Sequence, residues 1–149
     1  MKIYLDNCCY NRPFDDQSQQ RIFEETNAIF NIINLSCELD YVIFGSDVLI
    51  MEIAKIKDFQ KQHQVLAFYS QTVNQNINLS KEIEQIAESI VKISKIHDFD
   101  ALHLASAIIG GADIFFTTDY KLIKFCDKLD LKISVMNPIN FRGDFYEKY

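Results

Sequence analysis

The sequence predicts a single α/β domain built on a largely parallel sheet. Apolar periodicity switches repeatedly between strand-like and helix-like runs, and no Pro- or Gly-rich linker interrupts the alternation. At 149 residues, with 48% apolar and 13% aromatic content, the chain can bury one sizeable core and is unlike a disordered segment. The predicted domain therefore covers residues 1–149, and no internal repeat divides it.

KIYLD (2–6) reads as a short buried strand. RIFEETNAIFNIINLSC (21–37) places apolar residues at 22, 23, 29, 30, 32, 33 and 35, mostly at helical spacing. DYVIFGS (40–46) is a second strand, SDVLIMEIAKIKD (46–58) a helix opened by a Ser/Asp cap, and 59–71 another helix. NINLS (76–80) reads as a short strand whose Ser80 caps a helix to about residue 95, one residue off the ideal capping box. A helix over 98–109 stops at Gly110–Gly111. A strand over 112–118, a helix over 119–129 and a strand over 132–136 follow, the last stopped by Asn137–Pro138.

No run approaches the eighteen or so apolar residues of a membrane span, and MKIYLDNCCY reaches Asp6 before a signal-like stretch forms. A cytoplasmic protein with no membrane partner is expected. Cys8, Cys9, Cys37 and Cys126 lack metal-ligand spacing, and vicinal cysteines bridge poorly, so they read as reduced, mostly buried thiols. A net charge of −6 argues against a large nonspecific nucleic-acid surface. It is compatible with an acidic site in which bound cations supply the local positive charge, or with a basic partner protein.

In a parallel sheet the ligand crevice lies beyond the carboxyl ends of the strands, and this rule selects among the acids. Asp6 ends the first strand and Asp119 ends ADIFFTT, so both project toward one edge. Asp113 begins that strand, about 20 Å away at roughly 3.3 Å per residue, and reads as structural or solvated. Glu52 rides the edge of an apolar helical stripe with Val48, Leu49, Lys55 and Ile56; it either faces inward and needs a partner or reaches solvent beside Lys55. Asp98 and Asp100 open a helix, where aspartate is often a cap. Asp98 fits that role better, and Asp100 then faces the crevice above His103 and Leu104. Asp119 also opens a helix, with Thr117 or Thr118 able to share its capping. No Lys or Arg lies between Asp100 and Asp119 to offset their burial; a metal ion could serve. His103 reads as a satisfied core histidine, and His63 and His97 show no zinc-ligand spacing.

The segments YLDNCCYNRPFDD, SDVLIMEIAK, DFDALHLASA and ADIFFTTDYKLIKF together resemble the PIN-domain family of metal-dependent ribonucleases, which includes VapC-type toxins; the likeness runs from Lys2 to about Phe141. The resemblance implies a three-layer α/β/α sandwich around a mainly parallel sheet and an acidic pocket for Mg²⁺ or Mn²⁺. It matches Asp6, Glu52, Asp100 and Asp119 to the family's catalytic acids and Thr117 to its small hydroxyl residue. Asp6, Asp100 and Asp119 are then the expected metal ligands, and Glu52 orients water or completes the shell. Tyr120, Lys121 and Leu122 stand where the family often has a further acid, which puts a full second-metal shell in doubt. Arg12, in the NRPFDD segment, either contacts phosphate or pairs with Asp15 or Asp16. Lys121 and Lys124 share a helix face beside Asp119 and are either phosphate contacts or a solvated face. An RNA substrate is implied, with an antitoxin protein and a homodimer as further partners the family suggests. Two rival readings are a PIN-like binding module without catalysis and a receiver- or phosphatase-like domain using Asp6 as phosphoacceptor. The second lacks the D-x-D that such a site wants, since Asp6-Asn7-Cys8 stands there.

Overall fold

Ile3, Tyr4 and Leu5 of the first strand (β1, Lys2–Leu5) have no exposed surface, as a parallel strand covered on both faces requires. In the computed structural model, which describes residues 1–143, β1 is the centre of a five-stranded parallel sheet. Residues 144–149 of the predicted domain lie outside the described residues. The other strands are β2 (Val42–Ser46), β3 (Gln75–Ile77), β4 (Ile114–Phe116) and β5 (Ser134–Met136), in the order β3-β2-β1-β4-β5. Ile3 pairs with Ile43 on one side and Ile114 on the other. Tyr4 stacks on Phe115 at 5.3 Å and meets Phe44 edge-on at 5.5 Å, so aromatic rings fill the centre of the core.

The helices among the described residues are α1 (Asn7–Asn11), α2 (Gln20–Glu38), α3 (Asp47–Ile53), α4 (Phe59–Thr72), α5 (Lys81–Ile93), α6 (Asp98–Ile109) and α7 (Tyr120–Asp127). Ser46, Asp58 and Ser80 cap α3, α4 and α5 by accepting from Leu49, Lys61 and Ile83 amides, the local chemistry that the sequence predicts for Ser46 and Ser80. Gly111, at φ 76°, ends α6 in the left-handed conformation that favours glycine. Gly45 is required for space: a Cβ there would stand 1.9 Å from the Tyr69 hydroxyl, which accepts from the Ser46 amide.

Several boundaries differ from the sequence prediction. The helix predicted over 46–58 ends at Ile53, and each predicted strand is shorter than its apolar run. Helix α1 is absent from the prediction because five residues, NCCYN, are too few to display a period. Pro13 then sets a 3-10 turn over Arg12–Phe14. Cys9 and Cys126 are buried as expected, whereas Cys37 is exposed near the end of α2. No helix is long and apolar enough to cross a membrane among the described residues.

The chain leaves β1 for β2 and β3 on one flank and adds β4 and β5 on the other, so strand order reverses beside β1. Asp6 follows β1 and Thr117-Thr118-Asp119 follows β4, at the carboxyl edge of adjacent strands. A crevice opens at such a switch point because the two connections leave in opposite directions.

Candidate active site

Asp6 is 6% exposed. Its Oδ1 accepts from the Asn7 amide at 2.8 Å and starts α1, while Oδ2 accepts from Thr117 Oγ1 at 2.8 Å. Burial raises its pKa against the opposing pull of His103 and Thr117. Thr117 is itself fully buried, and its Oγ1 accepts from the Asp119 amide at 3.1 Å. The hydroxyl thus ties the end of β1 to the end of β4, beneath the carboxylates. Asp119 caps α7: Oδ1 accepts from the Lys121 and Leu122 amides at 3.0 and 3.2 Å. Its Oδ2 carries no hydrogen bond among the described residues, so capping uses one oxygen and leaves the other for the pocket.

Asp100 lies in the first turn of α6, half-buried and with no hydrogen bond or ion pair among the described residues. Burial, and then the charges of Asp6 and Asp119, push its carboxyl up to about 6. The capping role expected of Asp98 does not hold. His97 occupies the cap without a side-chain bond, and Asp98 is already the first helical residue, where its charge faces the amino end of the dipole.

Glu52 takes the inward-facing alternative. Oε2 bonds His103 Nε2, and Oε1 accepts from Asn7 Nδ2 at 3.1 Å. Lys55 is occupied elsewhere, over the Phe99 ring at 4.1 Å. His103 is 1% exposed, a satisfied core histidine, and its Nδ1 meets Tyr4 Oη at 2.7 Å, which in turn meets Ser46 Oγ at 2.7 Å. A carboxylate only accepts, so Nε2 carries a proton; the Tyr4 and Ser46 hydroxyls can turn to suit a neutral or a charged ring. Burial lowers the His103 pKa, but the Glu52 bond and the nearby Asp6 outweigh it and the net shift is upward. Burial acts to raise Glu52, and the same bond holds it below its ordinary value. Sequence reading places His103 in the core without finding this link, because Tyr4, Ser46 and Glu52 lie far from it along the chain.

Asp6, Glu52, Asp100 and Asp119 line one pocket of about 350 Å³. A larger groove of about 570 Å³ between α5 and α6, with Val91 and Leu102 in its wall, lies apart from these four acids. Arg12 and Lys61 also line the acid pocket. Arg12 pairs with Asp15 at 2.9 Å, the pairing alternative of the sequence reading, and additionally with the fully buried Glu25 at 3.3 Å. Asp16 bonds Ser18 instead. Lys61, which nothing local in the sequence marks, meets Asp15 at 2.7 Å. Lys121 and Lys124 are exposed on α7 and do not line the pocket.

Among the described residues, no group of three or more His, Cys, Asp and Glu side chains forms a ready-made metal cage. The donor chemistry nevertheless fits a hard divalent ion: among the described residues Asp100 and one oxygen of Asp119 have no hydrogen-bond partner, and the acids around Asp100 disfavour its charge. Mg²⁺ usually takes one or two carboxylates and keeps several waters, a smaller demand than a closed cage.

No family model and no curated protein matches the chain. Solved structures match it throughout. A chain of VapBC2 from Rickettsia felis, solved bound to a DNA fragment from their promoter, superposes with a TM-score of 0.64 at 16% identity, over 92% of this chain and 98% of that one. Mycobacterium tuberculosis VapC20, described as a sarcin-ricin loop cleaving toxin, superposes with a TM-score of 0.60 at 12% identity, over 88% and 98%. The chain has the PIN-like fold of these VapC structures, with its five parallel strands as the central layer.

Proposed function

We propose that this protein is a divalent-metal-dependent endoribonuclease and the toxin of a toxin–antitoxin pair. The observation that carries the reading is Asp100: a half-buried carboxylate without a hydrogen-bond partner among the described residues, facing Asp6 and Asp119 at the switch point of a VapC-like sheet. Asp6, Asp100 and Asp119 hold Mg²⁺ or Mn²⁺. When bound, the ion supplies positive charge against the negative charge that grows on the phosphate and acidifies water. Glu52, kept ionised and fixed by His103 and Asn7, orients the attacking water. The water gives up a proton to solvent as its oxygen bonds to phosphorus, the bond to the departing nucleotide oxygen breaks, and that oxygen leaves with a proton from solvent. Thr117 holds Asp6 in place from below. Likeness to a VapBC2 chain supports an antitoxin as the restraining partner.

The test is incubation of purified protein with diverse RNAs under Mg²⁺, Mn²⁺ or EDTA, beside Asp100→Asn. Cleavage is expected with either metal and not with EDTA. Asp100→Asn, Asp6→Asn, Asp119→Asn and Glu52→Gln should each lose at least about a hundredfold, the scale of removing one group that stabilises transition-state charge. Asp113→Asn should cut normally, because its carboxylate accepts from the Lys2 amide at the opposite edge of the sheet. Wild-type cleavage in EDTA, or by two of the four site variants, rejects the reading.

A further inference from the structure

RNA is a polyanion, and one wall of the pocket is made of carboxylates. A bound ion offsets charge at the cleaved phosphate, but the neighbouring phosphates need cations of their own. Of the described residues lining the pocket, only Arg12 and Lys61 are cationic. They come from separate parts of the chain, the 3-10 turn after α1 and the first turn of α4, and Asp15 gathers them. One Asp15 oxygen accepts from Arg12 Nη1 at 2.9 Å and the other from Lys61 Nζ at 2.7 Å.

Arg12 has five N–H donors. Nε and Nη2 turn to Glu25 and Nη1 to Asp15, which leaves one hydrogen on each terminal nitrogen. Lys61 has three donors, and Asp15 takes one. Arg12, Arg21 and Lys61 set three cations against the carboxylates of Asp15 and Glu25, and Arg12 and Lys61 both retain donors while held in fixed positions. Glu25 already anchors Arg12 to α2, so holding the turn in place does not by itself require a second cation on the pocket wall.

We propose that Arg12 and Lys61, bridged by Asp15, form a phosphate subsite that receives an RNA backbone phosphate next to the one cleaved at the acid wall. The proposal rests on the ribonuclease reading for its place in the reaction, although binding alone can test it. The guanidinium offers a planar fork to phosphate oxygens and the ammonium a point charge. Asp15 orders both before the strand arrives, which reduces the entropy lost on binding.

Lys61→Gln is the informative variant, because Arg12 substitutions leave the buried Glu25 short of a partner. Binding of a short fluorescein-labelled oligouridylate is measured across a salt series with Mg²⁺ in an Asp100→Asn background that does not cut. Adding Lys61→Gln should lower the slope of log affinity against log salt by about 0.7, the single-strand value for one phosphate contact. Lys61→Arg should restore the slope. Lys132→Gln removes the same charge before β5, at the far edge of the sheet, and should leave the slope unchanged. In the cutting protein Lys61→Gln should raise KM several-fold and leave kcat within about twofold, as expected when binding is lost equally from ground and transition states. An unchanged slope and KM in Lys61→Gln, with the wild type binding and cutting, overturns the subsite and leaves the nuclease standing. A Lys61-dependent slope in a wild type that never cuts supports the subsite and overturns the nuclease. Absence of any salt-sensitive RNA binding overturns the subsite as well.

Discussion

Glu25 is fully buried and Asp100 half-buried, and the fold treats the two carboxylates in opposite ways. Glu25 faces Arg12 at 3.3 Å and Arg21 at 3.4 Å, and accepts from Asn137 Nδ2 at 2.7 Å. Among the described residues Asp100 has no donor, and the charges of Asp6, Asp119 and Glu52 act against it while His103 acts in its favour. Where a carboxylate is structural, this protein surrounds it with cations and amides from distant segments. Where the counter-charge is withheld, the carboxylate is destabilised in the isolated chain and suited to a cation from outside.

The largest expected stability effect comes from breaking the compensated side. Arg12→Met should lower unfolding free energy by about 3 kcal/mol in urea titrations, because it removes one of the two cations that face the buried Glu25. Asp100→Asn should leave stability unchanged or raise it. A loss below about 1 kcal/mol in Arg12→Met would mean that Arg21 and Asn137 suffice for Glu25, and the contrast would weaken.

Next in size is linkage to the ion. A divalent cation that binds only the native pocket should stabilise it by about 2.7 kcal/mol at a hundred times its dissociation constant. Melting temperature should therefore rise with Mn²⁺ or Mg²⁺ at fixed ionic strength, and rise less in Asp100→Asn. Equal increments in the two proteins would remove Asp100 from the ion's ligands while leaving the compensated side as described.

The smallest effect sharpens the comparison through pH. The Asp100 carboxyl is raised to about 6, against about 3.9 for an aspartate in an unfolded chain. Between these values the native state binds more protons than the unfolded one, so the Asp100 contribution is full below about pH 3.9 and is lost as pH rises through about 6. In metal-free buffer, wild type should lose melting temperature relative to Asp100→Asn across that window. A constant difference would show that Asp100 titrates normally and that its neighbours do not oppose its charge.

The acid pocket was the more legible side in the sequence. Asp6, Glu52, Asp100 and Asp119 each sit beside a strand end or in a helix whose local pattern reveals their address, and the structure brings all four to one pocket. The compensated side was hidden. Glu25 lies within an ordinary helical repeat, and Asn137 meets it across 112 positions of sequence, a pairing that periodicity does not encode. Lys61 looks like any surface lysine until α4 packs beside α1. Asn7 was missed with its helix, since one short turn carries no period. The misassigned cap at Asp98 is one residue from the observed cap at His97, a scale at which capping preferences do not discriminate.

Thr117 reaches Asp6 across 111 positions of sequence, from a strand that joins β1 on the flank opposite β2. The ribosome delivers the amino end first, while a domain generally folds as a unit. A nascent chain delivered only as far as β3 therefore holds Asp6 and Glu52 without the segments that face them. The hydroxyl that fixes Asp6, the cap that presents Asp119 and the strand beneath both arrive only with the last part of the polypeptide. Synthesis of the chain thus runs well ahead of assembly of its pocket, and a cell producing this protein meets an acid site only once the second flank of the sheet has closed on the first.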